Sequence, residues 1–220
     1  MKLLLTSAGL ANKSIIKALQ ELVKKPFSEL KVTFVPTASN IEEGDKKDWL
    51  IKDLEILKDL KFSSIDIVDV SAVPKEVWLK RLKEADIFFV EGGNTYHLMY
   101  WFDKSGLSKV LPDLLKTRVY IGVSAGTMVV NPTVVHWYKE KIVCQKINKT
   151  SFGKGLSYVN FMVEPHLNSS WFPEMTLENI EKKLKDYPYP LYALDDESAI
   201  KVDGDKIEVI SEGVWKKFEK

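Results

Sequence analysis

Short hydrophobic runs alternate with amphipathic segments along the first half of the chain. The runs predict strands at Lys2–Thr6, Lys31–Pro36, Ile65–Val70, Ile87–Val90 and Val119–Val123. Between them, Leu, Ile and Trp recur at helical spacing in the segments Ser14–Val23, Asp48–Leu60 and Val77–Glu84. Strands that alternate with helices are typical of a parallel sheet covered on both faces. The pattern therefore predicts an α/β fold with a mostly parallel central sheet.

The second half of the chain contains shorter elements. Strands are predicted at Lys141–Gln145, Val159–Glu164, Leu191–Leu194, Ala199–Val202 and Lys206–Ile210, and a helix at Leu177–Lys185. The last two strands flank Asp203-Gly204-Asp205, an Asp-Gly turn that is typical of a β-hairpin. Since the chain has no internal repeat, low-complexity tract or linker, we expect residues 1–220 to form a single domain.

Composition and charge disfavour several classes of protein. Of the 220 residues, 45% are hydrophobic, as expected of a globular protein with a sizeable core. The 32 basic and 31 acidic side chains nearly cancel, and there is no basic block of the kind that binds nucleic acid. No apolar run is long enough for a membrane span, and the initial run ends at Thr6, too early for a secretory leader. The single cysteine, Cys144, excludes an internal disulfide, so we expect a cytoplasmic location.

The clearest chemical signal is the Gly-x-Ser-x-Gly sequence at Gly122–Gly126. It joins the predicted strand Val119–Val123 to a short stretch that is compatible with a helix. A serine held in a sharp turn exposes its hydroxyl as a nucleophile, and the flanking glycines let the neighbouring backbone approach. The alternative is a glycine-rich turn that only redirects the chain. The strand and helix context favours Ser124 as the nucleophile, with the Ala125 N–H placed to stabilise an oxyanion.

A serine nucleophile generally needs a base, and the chain has three histidines. His97 lies at the start of a predicted helix, and His136 lies in a loop of polar and aromatic residues. His166 follows the predicted strand Val159–Glu164, at a carboxyl end of a strand, where the sites of α/β proteins collect. His166 is therefore the candidate base, and the other two are interpreted as structural or surface residues.

The candidate acids lie just beyond the predicted strand Leu191–Leu194, where Asp195 and Asp196 stand out and Glu197 follows. A carboxylate there could fix the tautomer of the imidazole and stabilise the imidazolium. The alternative is a solvated acidic turn, which describes at least one of the three residues and fits Glu197 well. The resulting order along the chain is nucleophile, base, acid, whereas α/β-hydrolases have nucleophile, acid, base.

A second glycine turn, Gly92-Gly93, follows Glu91 and the predicted strand Ile87–Val90. Asn94 or Thr95 is placed to cap the helix that comes next. The turn could cradle a phosphate, redirect the chain, or supply half of an oxyanion hole. Neither the dinucleotide-binding nor the P-loop glycine pattern is present, which disfavours a nucleotide site. The oxyanion hole is the preferred interpretation.

Several segments together resemble peptidase family S51, the dipeptidase E or α-aspartyl dipeptidase family. They are Gly92-Gly93-Asn94-Thr95, Gly122–Gly126, Pro165-His166, Ala193-Leu194-Asp195-Asp196 and the early Pro36-Thr37-Ala38-Ser39. The resemblance extends over nearly the whole chain. It implies a three-layer α/β/α sandwich, flavodoxin-like and similar to class I glutamine amidotransferases, with a serine replacing their cysteine. It also implies a small peptide substrate and no metal or organic cofactor.

The same resemblance implies roles for individual residues. Ser124 corresponds to the nucleophile, His166 to the general base and Asp196 to the third member of the triad. The amides of Gly93 and Ala125 correspond to the oxyanion hole. Candidate substrate-binding residues are Asn94 and Asn168.

One departure concerns specificity. The resemblance to dipeptidase E implies a substrate with an N-terminal aspartate, whose carboxylate an arginine would bind best. The chain has only Arg81 and Arg118, and both are interpreted as structural. The loop after His166 offers amides and hydroxyls rather than charge. An aspartyl preference is therefore not expected, unless a lysine takes the place of the arginine.

The leading hypothesis is hydrolysis of short peptides through an acyl-enzyme on Ser124. The main alternative is a binding or regulatory module that keeps the same scaffold without peptidase activity. A flavin- or nucleotide-binding protein is a third. The sequence leaves open whether His97 and Glu91 line the pocket, and whether the chain forms a homodimer.

Overall fold

The structure is a computed structural model that describes residues 1–43, 46–134, 153–187 and 189–220. Two features of the sequence analysis lie outside these residues, namely the predicted strand Lys141–Gln145 and His136. The described strands are β1 (Lys2–Thr6), β2 (Lys31–Val35), β3 (Ser64–Ile67), β4 (Ile87–Val90), β5 (Val119–Val123), β6 (Met162–Glu164), β7 (Leu191–Leu194), β8 (Ser198–Asp203), β9 (Lys206–Ser211) and β10 (Trp215–Phe218).

A mostly parallel sheet forms the centre of the fold, as predicted. Among the described residues it contains seven strands in the order β3-β2-β4-β5-β1-β8-β9. The five strands from β3 to β1 run parallel to one another. Strands β8 and β9 extend the sheet antiparallel beyond β1, and they form the predicted hairpin around Gly204. The carboxyl ends of the parallel strands therefore lie along one edge of the sheet.

Helices connect the strands and cover both faces of the sheet. The described α-helices are α1 (Lys13–Val23), α2 (Asp48–Asp59), α3 (Lys75–Glu84), α4 (Thr95–Ser105), α5 (Leu107–Leu114), α6 (Ala125–Met128) and α7 (Leu177–Lys183). Short 3-10 segments occur at Phe27–Glu29, Thr37–Ile41 and Leu184–Asp186. No helix in these parts of the chain is both long enough and apolar enough to cross a membrane.

Alternate side chains of each buried strand enter two different cores. Leu3 and Leu5 of β1 pack with the apolar faces of α3, α4 and α5 on one side of the sheet. Leu4 of the same strand packs with α1 and α2 on the other side. The period of two along a strand accounts for this division, and burial on both faces accounts for the nearly continuous hydrophobic runs in the sequence. The result is the three-layer α/β/α arrangement.

A second, smaller sheet was not predicted as a separate unit. Its strands have the order β10-β7-β6, with β6 parallel to β7 and β10 antiparallel to β7. It has its own hydrophobic cluster, which includes Met162, Ile180, Tyr187 and Leu191. Because β6 and β7 are parallel, the residues that follow them lie at the same edge of this sheet.

Several boundaries differ from the predictions for identifiable reasons. Strand β3 ends at Ile67 rather than Val70, because the chain turns away to Thr37, whose hydroxyl accepts a hydrogen bond from Val70 N at 3.2 Å. Strand β6 begins at Met162, and helix α7 ends at Lys183 and continues as a 3-10 turn. Helix α5 was not predicted, since Pro112 lies inside it and prolines usually mark helix ends.

Candidate active site

Ser124 occupies a strained turn between β5 and α6, as the strand and helix pattern predicted. Its backbone angles are φ 46° and ψ −104°, in a region that residues other than glycine rarely adopt. A Cβ at position 122 would lie 2.7 Å from the carbonyl of Gly126, and a Cβ at position 126 would lie 2.0 Å from Val90 O. Both glycines of the Gly-x-Ser-x-Gly sequence are therefore needed for the turn to form.

Buried hydrogen bonds hold this turn in place. Thr127 Oγ1 lies 2.8 Å from both the Thr6 and the Gly122 carbonyl oxygens, which joins the turn to β1. The hydroxyl of Tyr120 donates to Gly126 O at 2.6 Å. Burial raises the pKa of Tyr120 well above its ordinary value, so the phenol stays protonated and remains a donor. These contacts maintain the strained conformation of the turn.

The imidazole of His166 lies beside the serine hydroxyl. The distance from His166 Nε2 to Ser124 Oγ is 2.8 Å, within hydrogen-bonding range. His166 follows β6 with a positive φ of 65°, and the next residue, Leu167, donates its N–H to Leu194 O at 2.9 Å. The phenyl ring of Phe172 stacks on the imidazole with a centroid distance of 4.5 Å. The structure thus places this histidine where it could accept the serine proton.

A carboxylate lies on the other side of the imidazole. Asp196 Oδ1 is 2.7 Å from His166 Nδ1. Burial opposes ionisation of Asp196, but hydrogen bonds from His166, Ser7 and Ser169 outweigh it and lower the pKa of Asp196 below its ordinary value. An ionised Asp196 requires the proton of the neutral imidazole to be on Nδ1, which leaves Nε2 free to accept from the serine.

The neighbouring acids, Asp195 and Glu197, accept hydrogen bonds from groups other than the imidazole. Asp195 accepts hydrogen bonds from the Ser198 hydroxyl at 2.5 Å and from Glu197 N at 3.1 Å, and also from the N–H of Val214. The carboxylate of Glu197 is exposed and accepts from Asn12 Nδ2 at 3.0 Å. Of the three acids considered from the sequence, Asp196 is the one that the structure brings to His166.

Ser7 joins the base and the acid, and the sequence analysis missed it. Its hydroxyl accepts the backbone N–H of His166 at 2.8 Å and donates to Asp196 Oδ1 at 3.0 Å. The residue is fully buried. Its only signal in the sequence is its position directly after the predicted strand Lys2–Thr6, at the edge where sites of parallel sheets collect.

The Gly92-Gly93 turn lies against the nucleophile. A Cβ built at position 92 would be 3.4 Å from the Cβ of Ser124. Gly93 has a φ of +123°, and a Cβ there would lie 2.5 Å from Ala38 O, so only glycine fits. The N–H of Asn94 donates to the same Ala38 oxygen at 3.0 Å. The turn is therefore fixed between the 3-10 segment Thr37–Ile41 and the serine.

The remaining polar candidates have different surroundings. Asn94 is buried, and its side chain caps α4 by accepting the N–H of His97 at 2.9 Å. His97 is 8% exposed, and burial lowers its pKa. Asn168 is exposed in the loop after His166, with a positive φ of 58°. None of these three side chains belongs to the hydrogen-bond chain through Ser124.

Both arginines contact other parts of the scaffold. Arg81 of α3 donates from Nε to Asp66 Oδ2 at 2.7 Å. Arg118 precedes β5, at the opposite end of that strand from Ser124, and donates to the carbonyl oxygens of Ala85 at 2.9 Å and Lys83 at 2.5 Å. These contacts agree with the structural interpretation of both residues.

A lysine and a tryptophan lie near the glycine turn. The Trp49 ring comes within 3.7 Å of the position that a Cβ at Gly92 would occupy. The Lys47 ammonium lies 5.6 Å from the centroid of that ring and donates to Ser39 O at 2.9 Å and Glu42 O at 3.0 Å. The sequence analysis did not single out either residue. Lys47 brings a positive charge to this side of the site.

Within the described residues, no group of three or more histidine, cysteine, aspartate or glutamate side chains is arranged to hold a metal ion. The two ring nitrogens of His166 contact Asp196 and Ser124. The chemistry that these side chains can perform is proton transfer coupled to nucleophilic attack by a hydroxyl.

Comparisons with known proteins identify the family of the chain. The sequence profile of peptidase family S51 matches residues 3–210, a range that includes Ser124, His166 and Asp196. An uncharacterized peptidase of Listeria monocytogenes is 26% identical over 185 residues, which cover 80% of this chain and 83% of that protein. Peptidase E of Nostoc is 28% identical over 193 residues, which cover 84% of this chain and 72% of that protein.

A solved structure has the same fold. It is a candidate peptidase E from Listeria monocytogenes, with a TM-score of 0.80 and 22% sequence identity. The superposition covers 96% of this chain and 98% of that one. At 22% identity this match establishes the shared fold alone. Membership of the family is established by the profile match over residues 3–210.

Proposed function

The chain belongs to peptidase family S51, and from that premise we propose that it hydrolyses short peptides through an acyl-enzyme on Ser124. It is a serine hydrolase of the peptidase class, similar to dipeptidase E. One observation carries the assignment of residues. It is the continuous chain from Ser124 Oγ through the His166 imidazole to Asp196, with successive distances of 2.8 Å and 2.7 Å.

The first half of the reaction forms the acyl-enzyme. Ser124 Oγ attacks the peptide carbonyl carbon while His166 Nε2 takes the hydroxyl proton, and Asp196 stabilises the resulting imidazolium. The carbonyl oxygen becomes an oxyanion that accepts hydrogen bonds from the Gly93 and Ala125 amides. His166 then gives its proton to the amine nitrogen, the C–N bond breaks, and an ester on Ser124 remains.

The second half returns the enzyme to its starting state. A water molecule loses a proton to His166 and attacks the ester carbonyl through the same oxyanion hole. When the C–O bond to Ser124 breaks, His166 returns the proton to the serine oxygen and the carboxylic acid product leaves. The proposal for the hole is supported by the position of the glycine turn, since a Cβ at Gly92 would be 3.4 Å from Ser124 Cβ.

The cation that recognises an acidic substrate is proposed to be Lys47 rather than an arginine. Arg81 and Arg118 are engaged with Asp66 and with main-chain carbonyls. Lys47 lies over Trp49, whose ring lies near the glycine turn next to the nucleophile. A carboxylate of the substrate would gain a charge-assisted hydrogen bond there. Asn94 and Asn168 stay predictions as substrate-binding residues.

A dipeptide panel tests the proposed function. We expect the wild type to release amino acids and Ser124→Ala to lose at least about 10³-fold in kcat, since the nucleophile is removed. Ser63→Ala is the matched control. Ser63 Oγ donates to Leu30 O at 2.8 Å ahead of β3, at the opposite edge of the sheet. Cleavage by Ser124→Ala at the wild-type rate would reject Ser124 as the nucleophile.

Covalent labelling separates the peptidase from the silent binding module. A fluorophosphonate probe forms a phosphorus–oxygen bond with an activated serine hydroxyl and releases fluoride. We expect one adduct on Ser124 in the folded wild type and none in His166→Ala. A folded wild-type protein that forms no adduct would favour the module without activity.

Other features of the protein stay predictions. They are the single domain over residues 1–220, a cytoplasmic location, the absence of a nucleic-acid partner, and the homodimer that the sequence leaves open. The near balance of 32 basic and 31 acidic side chains supports the prediction about nucleic acid.

A further inference from the structure

Two buried carboxyl groups lie next to the Gly92-Gly93 turn, and the proposed mechanism does not use them. Glu91 follows β4 directly and is 0% exposed, while Asp53 of α2 is 5% exposed. Asp53 shares the face of α2 that carries Leu57 into the core. A carboxyl group at such a position costs free energy unless it is hydrogen-bonded or protonated. We therefore expect these two buried carboxyl groups to have a specific role.

The contacts of Glu91 join the acid pair to the turn. Glu91 Oε1 accepts the N–H of Gly92 at 2.8 Å. Glu91 Oε2 is buried and has no hydrogen-bond partner among the described residues. The carboxyl of Asp53 lies close enough to that of Glu91 for each to affect the pKa of the other. Two buried carboxyl groups that lie close together cannot both be ionised without a large cost in free energy, so one of them carries a proton.

The loop after β1 covers the other side of the pair. A Cβ at Gly9 would lie 2.4 Å from Asp53 Oδ1, so the glycine at this position leaves the room that the carboxyl occupies. Gly9 N donates to Thr6 Oγ1 at 3.0 Å, which fixes this loop to the edge of the sheet. The pair therefore lies between α2, the loop after β1 and the glycine turn.

The charges around the pair favour one shared proton. Lys52, which is exposed, is the cation that acts on Asp53, and Asp53 is the charged group that acts on Glu91. Burial raises the pKa of Glu91 well above its ordinary value, and burial raises the pKa of Asp53 to about 7. Two adjacent carboxylates without a buried counter-ion would repel each other, so the last proton on the pair is held tightly.

We propose that Asp53 and Glu91 are positioning residues that share one proton and hold the Gly92 amide, which fixes the turn carrying the Gly93 oxyanion donor. This inference rests on the proposed function, because it assigns a role in the same reaction. The turn is held from one side by Ala38 and from the other by Glu91. Loss of the Glu91 acceptor releases one side, and the donor then moves relative to the oxyanion.

Kinetics of two variants at position 91 test the positioning role. Glu91→Met removes the acceptor for Gly92 N, and we expect a decrease in kcat of about 10- to 100-fold with KM changed less than about threefold, because the donor acts mainly in the transition state. Glu91→Gln keeps a neutral side chain with an acceptor oxygen, and we expect it to recover most of the lost kcat. Glu178→Gln, at an exposed ion pair with Lys182, is the control.

Infrared difference spectroscopy tests the shared proton without reference to activity. At pH 8 we expect the wild type and Glu178→Gln to show the C=O stretching band of a protonated carboxyl group, which the double variant Asp53→Asn/Glu91→Gln lacks. Circular dichroism and melting temperatures establish that each variant is folded. A wild type without the band, or a folded Glu91→Met with unchanged kcat, would overturn the proposal. If Ser124→Ala remained active, the proposed function would fail instead, and the infrared result would still report on the pair.

Discussion

The phenyl ring of Phe172 lies nearly parallel to the imidazole of His166, with centroids 4.5 Å apart and planes 19° apart. Stacking of this kind limits rotation of the imidazole, because the ring cannot turn without losing the contact. Phe172 lies on the loop after β6, and Trp171 beside it is 83% exposed. The loop therefore turns one aromatic ring towards the base and leaves its neighbour in solvent.

Replacing Phe172 tests whether stacking positions the base. We expect Phe172→Leu to lower kcat by about three- to tenfold, the range that corresponds to an aromatic contact. Phe172→Tyr keeps the ring and should retain activity close to that of the wild type. Steady-state kinetics on one dipeptide provide the measurement. Equal losses in the leucine and tyrosine variants would argue against a role for stacking.

Ser7→Ala tests the bridge between the base and the acid. The variant leaves the buried His166 N–H without its acceptor and removes a donor from Asp196. Such a loss costs about 1–3 kcal/mol, so we expect kcat to fall by about 5- to 150-fold while KM changes little. The pKa of Asp196 should also rise, because one of the hydrogen bonds that lower it is lost. Unchanged kcat would show that the bridge is dispensable.

Asp196→Asn tests the identity of the acid. An amide at this position no longer stabilises the imidazolium, and its NH₂ group can hold the imidazole in the wrong tautomer. We expect kcat to fall on the order of 10³- to 10⁴-fold. Glu197→Gln is the neighbouring control, since that carboxylate contacts Asn12 rather than His166. A large loss in Glu197→Gln with a small one in Asp196→Asn would reverse the assignment.

Lys47→Met tests the proposed recognition of acidic substrates. Because a charge-assisted hydrogen bond is worth about 1.5–3 kcal/mol, we expect kcat/KM for acidic dipeptides to fall by about 10- to 100-fold, with little change for neutral ones. Lys46→Met, at the exposed neighbouring position, is the matched control. Equal effects on acidic and neutral dipeptides would assign Lys47 to the structure of the loop instead.

Asp53→Asn tests the pH dependence of stability. Burial raises the pKa of Asp53 from 3.8 to about 7, so the folded state binds this proton more tightly than the unfolded state. Its stabilising contribution is complete below pH 3.8 and is lost as the pH rises through about 7. The free energy of unfolding that this proton contributes at low pH is on the order of 4 kcal/mol. The amide does not ionise, so we expect the variant to gain stability relative to the wild type between pH 4 and pH 8.

Urea denaturation at pH 4 and at pH 8 measures the free energy of unfolding of Asp53→Asn and of the wild type. Glu178→Gln is the control, because the pKa of Glu178 is shifted in the opposite direction: a hydrogen bond and the charge of Lys182 lower it. It should show no such gain on raising the pH. Parallel pH profiles for Asp53→Asn and the wild type would contradict a buried proton at position 53.

Local features of the site could be predicted from the sequence. The sequence pattern that predicts the turn at Ser124 lies within one short segment, which contains the two glycines and the preceding β-branched strand. The positions after strands were equally informative, since Gly93 and His166 follow β4 and β6 closely in the chain. Hydrophobic periodicity gave the parallel sheet for the same reason, as each strand carries its own pattern.

The choice among the three acids could not be made in this way. Asp195, Asp196 and Glu197 are adjacent, and the direction in which each side chain points depends on how β7 is placed relative to β6. The smaller sheet provides that placement, and β10, which completes it, carries two lysines and no alternating pattern of its own.

By itself, the sequence of this protein determined the α/β fold, the strained serine turn and the candidate histidine, because each is specified by residues close together in the chain. Only the tertiary structure decided that Asp196 is the acid beside His166, that Ser7 bridges the two, and that Asp53 meets Glu91. The hydroxyl of Ser7 contacts residues 159 and 189 positions away. Side chains so far apart in sequence meet through packing of whole elements, and a local pattern carries no record of such contacts.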